Sequence, residues 1–434
     1  MNRSHKPFSL FQLALCGSAF AATATMSLFG SSLVRAALQD SPKAVVDEAW
    51  QIVNRDYVDG TFNKTDWQAT RQSLLSKNYA NREQAYKALQ DALEKLNDPY
   101  TRFMNPKQFE SLTSQTSGEL SGIGIRLEVN EQTKVLTVVE PIENSPAVKA
   151  GIQSGDQVLA IDDKPTKGMT VEDASNLIRG DAGTKLNLKL GRNGKSMVLS
   201  ITRARIELPT VRYTLRQEGR QRIGYIRLNE FSSHAAEQMR RAIQDLSSKR
   251  VDGFVMDLRG NPGGLLQASI DISRMWIDKG AIVRTVDRKG KSDDIAANRT
   301  ALTNLPLVIL VDGNSASSSE IVTGALKDNG RATVVGSQTF GKALVQSVHP
   351  LSDGSGLAVT IAHYYTPKGT DISQKGITPD VKVELTDADR QRFSFNPKLI
   401  GTDADPQYAS AVQALEKLTL AQPVLPIRQG MTQN

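Results

Sequence analysis

The spacing of hydrophobic residues changes along the chain, and each change marks a different kind of structure. Between 41 and 112 the repeat is helical. "AVVDEAWQIVNRDYV" sets Val45, Ala49, Ile52, Val53 and Tyr57 on one face, and "REQAYKALQDALEKL" does the same with Ala85, Leu89, Ala92, Leu93 and Leu96. Pro99 disfavours helix at Asp98, so the second helix stops at "NDPYTRF". From about residue 117 the repeat shortens to two. "LSGIGIRLEV", "VLTVVEPI", "QVLAIDD" and "KLNLKLGRNGKSMVLSITRA" alternate as strands do, with two short helices in "SPAVKAG" and "TVEDASNLIRG". This unit ends near Glu207.

From 208 onward strands and helices alternate. "RIGYIRL", "GFVMDLRG", "LPLVILVDG", "ATVVGS" and "ALVQSVHPL" read as strands, and "SHAAEQMRRAIQDLSS" and "SSEIVTGALKDNG" as helices. Strands as apolar as "LPLVILV" predict an α/β core whose sheet is buried on both faces. Beyond 386 the chain is polar, with one helix near "YASAVQALEKL". The fold class is therefore α+β and multidomain. The expected divisions are 1–36, 41–112 (N-terminal helical region), 113–207, 208–385 (α/β core) and 386–434 (C-terminal helix and tail).

The first of these divisions reads as an export signal. Arg3, His5 and Lys6 precede an uncharged run from Phe8 to Val34, and "VRA" at 34–36 places small residues before a cut at Ala37. A retained membrane anchor is the alternative, because the run is long enough to span. Leu15 stands where a lipoprotein signal needs a small residue.

Composition narrows the function. The 434-residue chain carries a net charge of +7, but Arg3, Lys6 and Arg35 lie in the signal, and no Lys/Arg run is interleaved with aromatics. Nucleic-acid binding is not indicated. The one cysteine, Cys16, also lies in the signal, so a processed chain has no disulfide, thiolate metal site or Cys nucleophile.

"GSQTFGKA" at 336–343 has the Gly and Lys spacing of a phosphate-binding loop. It lacks the hydroxyl after the lysine and the helix that such a loop requires, because Ala343 opens the alternating "ALVQSV". A lysine beside a buried strand has another use. Desolvation lowers its pKa, and a neutral amine near a serine can act as general base. The serines cluster in "DGNSASSSEIVTGAL", where Ser315 and Ser317 occupy a strand-to-helix turn. Ser317 with Glu320 also reads as a capping box, a role compatible with display of a nucleophile. The glycines of "DLRGNPGG", 257–264, permit a tight turn that exposes backbone N–H groups, which suits an oxyanion hole or an ordinary turn. His234, His349 and His363 lie in no Gly-x-Ser-x-Gly context, so a Ser-His-Asp triad is poorly supported.

Taken together these stretches resemble the carboxy-terminal processing (tail-specific) proteases over roughly 41–385. "DPYTRF" matches the end of that family's helical region, and "GELSGIGI" through "AGIQSGDQVLAIDD" looks like its inserted PDZ domain. "GYIRLNEF", "DLRGNPGG", "NSASSSEI" and "GSQTFGKALVQ" match its protease core in order. The resemblance implies a core of the ClpP/crotonase-like type and a Ser/Lys dyad, with Ser317 as nucleophile, Lys342 as general base and Gln346 orienting the lysine. It implies oxyanion donors at the N–H groups of Gly263 and Ser318, and no metal or nucleotide cofactor. Ala343 stands where the family usually has Gly.

In the PDZ-like unit, Gly122, Ile123, Gly124 and Ile125 would present N–H groups to the carboxylate of a peptide that adds as a strand. The implied partners are polypeptides with free apolar C-termini. The implied location is the periplasm or thylakoid lumen, with membrane association if the N-terminal segment is retained. Photosynthetic members trim the precursor of the photosystem II reaction-centre core protein, so that precursor is an expected substrate. A PDZ scaffold or chaperone with dispensable proteolysis is the competing class.

Overall fold

The computed structural model describes residues 41–130 and 132–421. The expected export signal, Cys16 and the last residues of the tail lie outside the described residues. Among the described residues no helix is long and apolar enough to cross a membrane.

The central sheet has six strands in the order Val211–Glu218, Gln221–Leu228, Gly253–Asp257, Leu307–Val311, Thr333–Gly336, Val381–Lys382. The first pair is antiparallel and the rest are parallel. Both faces are covered, which explains the uninterrupted apolar strands. On one face Phe254, Met256, Ile309 and Val311 share a core with Met239, Ile243, Ile272 and Val322 of the helices Ala235–Ser248, Leu266–Arg274 and Ser318–Asp328. On the other, Tyr225, Val255, Val308 and Leu310 pack with Tyr408, Ala411 and Leu415 of the helix Pro406–Leu420. The segment that reads as a polar tail thus supplies one layer of the core.

A second, antiparallel sheet is built around Gly356–Tyr365. That strand pairs with Leu344–Pro350 along one edge, and with Arg102–Met104 and Ala281–Asp287 along the other. The N-terminal region is therefore not wholly helical: the helix ends at Glu94, Asp98 folds a turn by accepting from Tyr100 N–H and the Thr101 hydroxyl, and Arg102–Met104 pairs as a strand with Gly356–Ala358. The helices before it lay Val45, Ala49, Val53, Leu89 and Leu93 against Leu357 and Val359 of the sheet. The following helix, Pro106–Ser117, runs past 112 and ends at Gly118, whose φ of 67° suits glycine.

Residues 119–207 form a separate strand unit with its own core of Ile123, Leu136, Val158, Leu186, Leu188 and Leu190. In Lys185–Arg192 the leucines are buried and Lys185, Asn187 and Lys189 are exposed, as the period of two requires. Glu119–Gly122 pairs with Ala204–Glu207, so the chain enters and leaves this unit side by side. That is the geometry of an insertion into a larger fold.

Candidate active site

The strand Leu307–Val311 ends at a turn that presents Ser317 ahead of the helix Ser318–Asp328. Ser317 has φ 53° and ψ −112°, a backbone conformation costly for a residue with a Cβ. The neighbouring turn at 258–264 holds it there. Ala316 N–H and the Ser319 hydroxyl both donate to Asn261 O, at 3.1 and 2.9 Å, and the Ser318 hydroxyl donates to Gly264 O at 3.0 Å. Ser315, the other serine of the cluster, is buried and donates its hydroxyl to Leu258 O at 2.8 Å. Ser315 is thus a tie between the two turns, and Ser317 is the partly exposed serine of the pair.

Glu320 is the hub of the site. Its fully buried carboxylate accepts from Ser317 N–H at 2.9 Å, Gly341 N–H at 2.7 Å, Lys342 N–H at 2.9 Å and the Thr339 hydroxyl at 2.6 Å. Burial raises its pKa, and these four hydrogen bonds pull against that rise. The buried Tyr364 hydroxyl makes a complementary bridge, contacting Ser317 O at 3.1 Å and also Lys342 O. The backbones of Ser317 and Lys342 are therefore tied at their N–H groups by one carboxylate and at their carbonyls by one phenol.

Lys342 is half-buried. Desolvation lowers its pKa to about 8; Arg102 adds to the drop, and Asp98 and Glu320 oppose it. Its Nζ sits 4.5 Å from the centroid of the Tyr100 ring. Among the described residues no hydrogen bond joins Nζ to Ser317 Oγ, and none joins Gln346 to Lys342. Gln346 instead donates to the Thr360 hydroxyl at 3.5 Å. Ala343 is buried in the main core and its φ is not positive, so glycine is not required there.

Gly263 lies against the serine. A Cβ at that position would meet Ser317 Cβ and Ala316 O at 2.9 Å and Ser318 N at 3.0 Å, with φ at 107°. Only glycine permits this approach. Gly263 N–H donates to Asn261 Oδ1 at 2.9 Å in this structure, whereas Ser318 N–H, at the start of the helix, has no partner among the described residues. Asn261, fully buried, also donates to Leu228 O at 2.8 Å, which fixes the side chain that holds Gly263.

The inserted unit carries a groove of about 190 Å³ between Ile125–Val129 and the helix Val171–Ile178. Ile123, Ile125, Leu127, Val171 and Ile178 line it, together with Gly122 and Gly124. Ile123 O and Gly124 O accept from Ala147 N–H and Ile142 N–H, while the N–H groups of Ile123 and Gly124 make no hydrogen bond among the described residues. Gly124 has φ 81°, and a Cβ there would lie 2.4 Å from Ser145 Cβ. The result is a loop with free donors at one end of an apolar groove.

An apolar groove with free backbone donors, inserted into an α/β core that displays a serine and a desolvated lysine, is the arrangement of a serine peptidase with a PDZ domain. Residues 222–383 match peptidase family S41, and residues 137–192 match a PDZ domain. A carboxyl-terminal-processing protease of Synechocystis sp. is 42% identical over 372 residues, covering 85% of each chain. Carboxyl-terminal-processing peptidase 2, chloroplastic, of Arabidopsis thaliana is 39% identical, over 77% of this chain and 67% of the relative. The solved photosystem II D1 C-terminal processing protease is 35% identical with a TM-score of 0.52, over 85% of this chain and 99% of that one. The chain belongs to the carboxyl-terminal-processing proteases, a family of serine peptidases.

Several residues of this site escape a reading of the sequence. Glu320 is visible there only as a capping partner of Ser317. Its bonds to Gly341 and Lys342 span 21 and 22 residues and have no local signature. Tyr100 and Tyr364 carry none at all. Asn261 sits inside a recognisable turn, but nothing in the turn says which acceptor it meets.

Proposed function

We propose that this protease cuts near free C-termini with Ser317 as nucleophile and Lys342 as general base. The observation that supports this most is the Glu320 carboxylate, which accepts from the N–H groups of both residues. In this reading the neutral Lys342 amine takes the Ser317 proton as Oγ attacks the scissile carbonyl. The oxyanion that forms is met by Ser318 N–H and by Gly263 N–H, the latter exchanging its Asn261 partner for substrate. The protonated amine then donates to the leaving nitrogen, and water releases the acyl group. Catalytic hydrogen bonds that are open without substrate commonly tighten when it binds, and in this reading Gln346, on the strand Leu344–Pro350 that follows Lys342, then steadies the amine.

The pH dependence tests the base. A neutral amine is the active form, so kcat rises with pH and levels above a limb near 8, the value to which burial brings Lys342. A pH–rate profile whose limb lies near the ordinary lysine value, about 10.4, would argue against the desolvated base.

The tail is selected by the 113–207 unit, and the bond is cut in the 208–385 core. The free N–H groups at Ile123 and Gly124 suit a terminal carboxylate, and the apolar groove suits its last side chain. Amidating the C-terminus of an apolar-tailed peptide is expected to weaken its binding by about tenfold or more, a loss of the size expected for a charge-assisted hydrogen bond. Isothermal titration of the Ser317→Ala protein with the paired peptides measures it, and equal affinities would remove the carboxylate from recognition.

The basic, then uncharged, N-terminal segment supports export to a periplasm or thylakoid lumen, with membrane attachment if it is retained. A solved relative is named for photosystem II D1, and the D1 precursor tail is the proposed substrate here.

A further inference from the structure

The turn that carries Gly263 is held from two sides, and only one of them belongs to the peptidase site described above. On the Ser317 side it is tied through Asn261, Ser315 and Ser319. On the far side its first residue, Arg259, turns into the protein and is almost wholly buried, 6% exposed, beside Asp257 and Asp405 at 0%. Arg259 Nε and Nη2 donate to the two oxygens of Asp257 at 2.9 and 2.6 Å. Its Nη1 donates to Asp405 Oδ1 at 3.1 Å and to Gln407 Oε1 at 3.0 Å, and Nη2 lies 2.8 Å from Asp405 Oδ2.

The cluster is closed and charge-balanced. Asp257 also accepts from the Tyr225 hydroxyl at 2.6 Å and faces Arg227 at 3.9 Å. Two carboxylates thus meet two guanidiniums. Burial opposes ionisation of Asp257, but Arg259, with Arg227 and the Tyr225 hydroxyl, outweighs it and keeps that carboxyl below its ordinary pKa. Asp405 comes from a different part of the chain. It is the N-cap of the Pro406–Leu420 helix, where it accepts from Gln407 N–H at 3.1 Å and Tyr408 N–H at 3.3 Å, and it also accepts from Gly401 N–H at 2.9 Å. Removing one partner from a buried ion pair strands the other charge. Without Asp405 the cluster keeps the Arg259–Asp257 pair but holds two guanidiniums against one carboxylate; Arg259 relieves that excess by shifting, and Gly263 is four residues further along the same turn.

We propose that Asp405 is a positioning residue. Acting through Arg259, it holds the Arg259–Gly264 turn against Ser317, so the C-terminal helix is a working part of the peptidase site rather than a tail. The contact that transmits the effect is the close approach of Gly263 to Ser317 and Ser318. An oxyanion donor misplaced there loses transition-state stabilisation without loosening ground-state binding.

This inference rests on Ser317 and the Gly263 turn being the reacting centre. The test uses the full chain and compares Asp405→Asn with Leu415→Ala, a cavity variant in the same helix that touches no charge. Three readouts are taken: Tm, steady-state kinetics on an apolar-tailed peptide, and affinity for a peptidyl aldehyde, which forms a tetrahedral adduct on the serine. Asp405→Asn is expected to lower kcat and aldehyde affinity together by about tenfold, below the ~10²–10³ cost of deleting an oxyanion donor outright, with KM unchanged. Leu415→Ala is expected to lower Tm and leave kcat in place. The latch is overturned if Asp405→Asn keeps wild-type kcat, or if Leu415→Ala lowers kcat equally at an equal loss of Tm. Should Asp405→Asn fail to fold, Gln407→Met removes one Arg259 acceptor, together with the Gln407 Nε2 bond to Val383 O, and leaves both carboxylates in place; a smaller fall in kcat supports the latch and no fall overturns it. Activity surviving in Ser317→Ala would instead defeat the reading of the centre itself.

Discussion

Replacing Ser317 by alanine is expected to lower kcat on an unstructured, apolar-tailed peptide by on the order of 10⁴-fold or more, the scale on which serine peptidases lose activity when the nucleophile is removed. Binding of the same peptide should be unchanged, because Ser317 lies outside the groove at 122–127. Stability should fall by no more than the ~1 kcal/mol of a lost N-cap side chain. The costly backbone at φ 53° is imposed by the turn and by Glu320, and alanine inherits both. Kinetics, peptide titration and a thermal melt on one preparation separate these quantities. A Ser317→Ala protein that cleaves at the wild-type rate would exclude this serine as the nucleophile and require another group to attack the scissile bond.

The second large effect falls on Lys342. Alanine there removes the proton acceptor and is expected to lower kcat by about 10²–10⁴-fold, the range for a positioned general base. Arginine separates base from charge. Its guanidinium remains protonated in proteins, so Lys342→Arg should be as inactive as Lys342→Ala across the accessible pH range. Activity in the arginine variant would mean that the position supplies positive charge rather than accepting a proton. There is also a stability consequence. The folded-state pKa of Lys342 is depressed to about 8, below the unfolded value near 10.5, so the unfolded chain binds more protons between those values. The penalty for burying this amine is therefore full below pH 8 and is relieved as pH rises through that window.

The legible parts of this protein are those in which local pattern and tertiary environment agree. The stretches 253–256 and 307–311 are apolar because helices cover both faces of their sheet. The strand 185–192 alternates because one face is solvated. The active-site turns are legible for a similar reason: Gly263 must be glycine to approach Ser317, and Ser317 with Glu320 obeys a capping rule that the site reuses.

What escaped depends on distant partners. Arg102–Met104 is a strand only because Gly356–Ala358 lies beside it. The helix 406–420 reads as a solvated tail element until Tyr408, Ala411 and Leu415 are seen beneath the sheet. Arg259 and Asp405 are 146 residues apart, and each alone looks like a surface charge. Glu320 is the sharpest case, since its local role was visible and its long-range role was not.

The central claim is that Ser317 becomes covalently acylated during turnover. An acid-quenched reaction of the wild-type protein with a slowly released peptidyl ester, followed by peptide mapping in a mass spectrometer, reads this directly. The predicted result is one acyl group on the peptide containing Ser317, with fragment ions placing it on that residue, and no adduct in Ser317→Ala. An adduct on Ser315 or elsewhere, or hydrolysis with no adduct at any residue, would contradict the account.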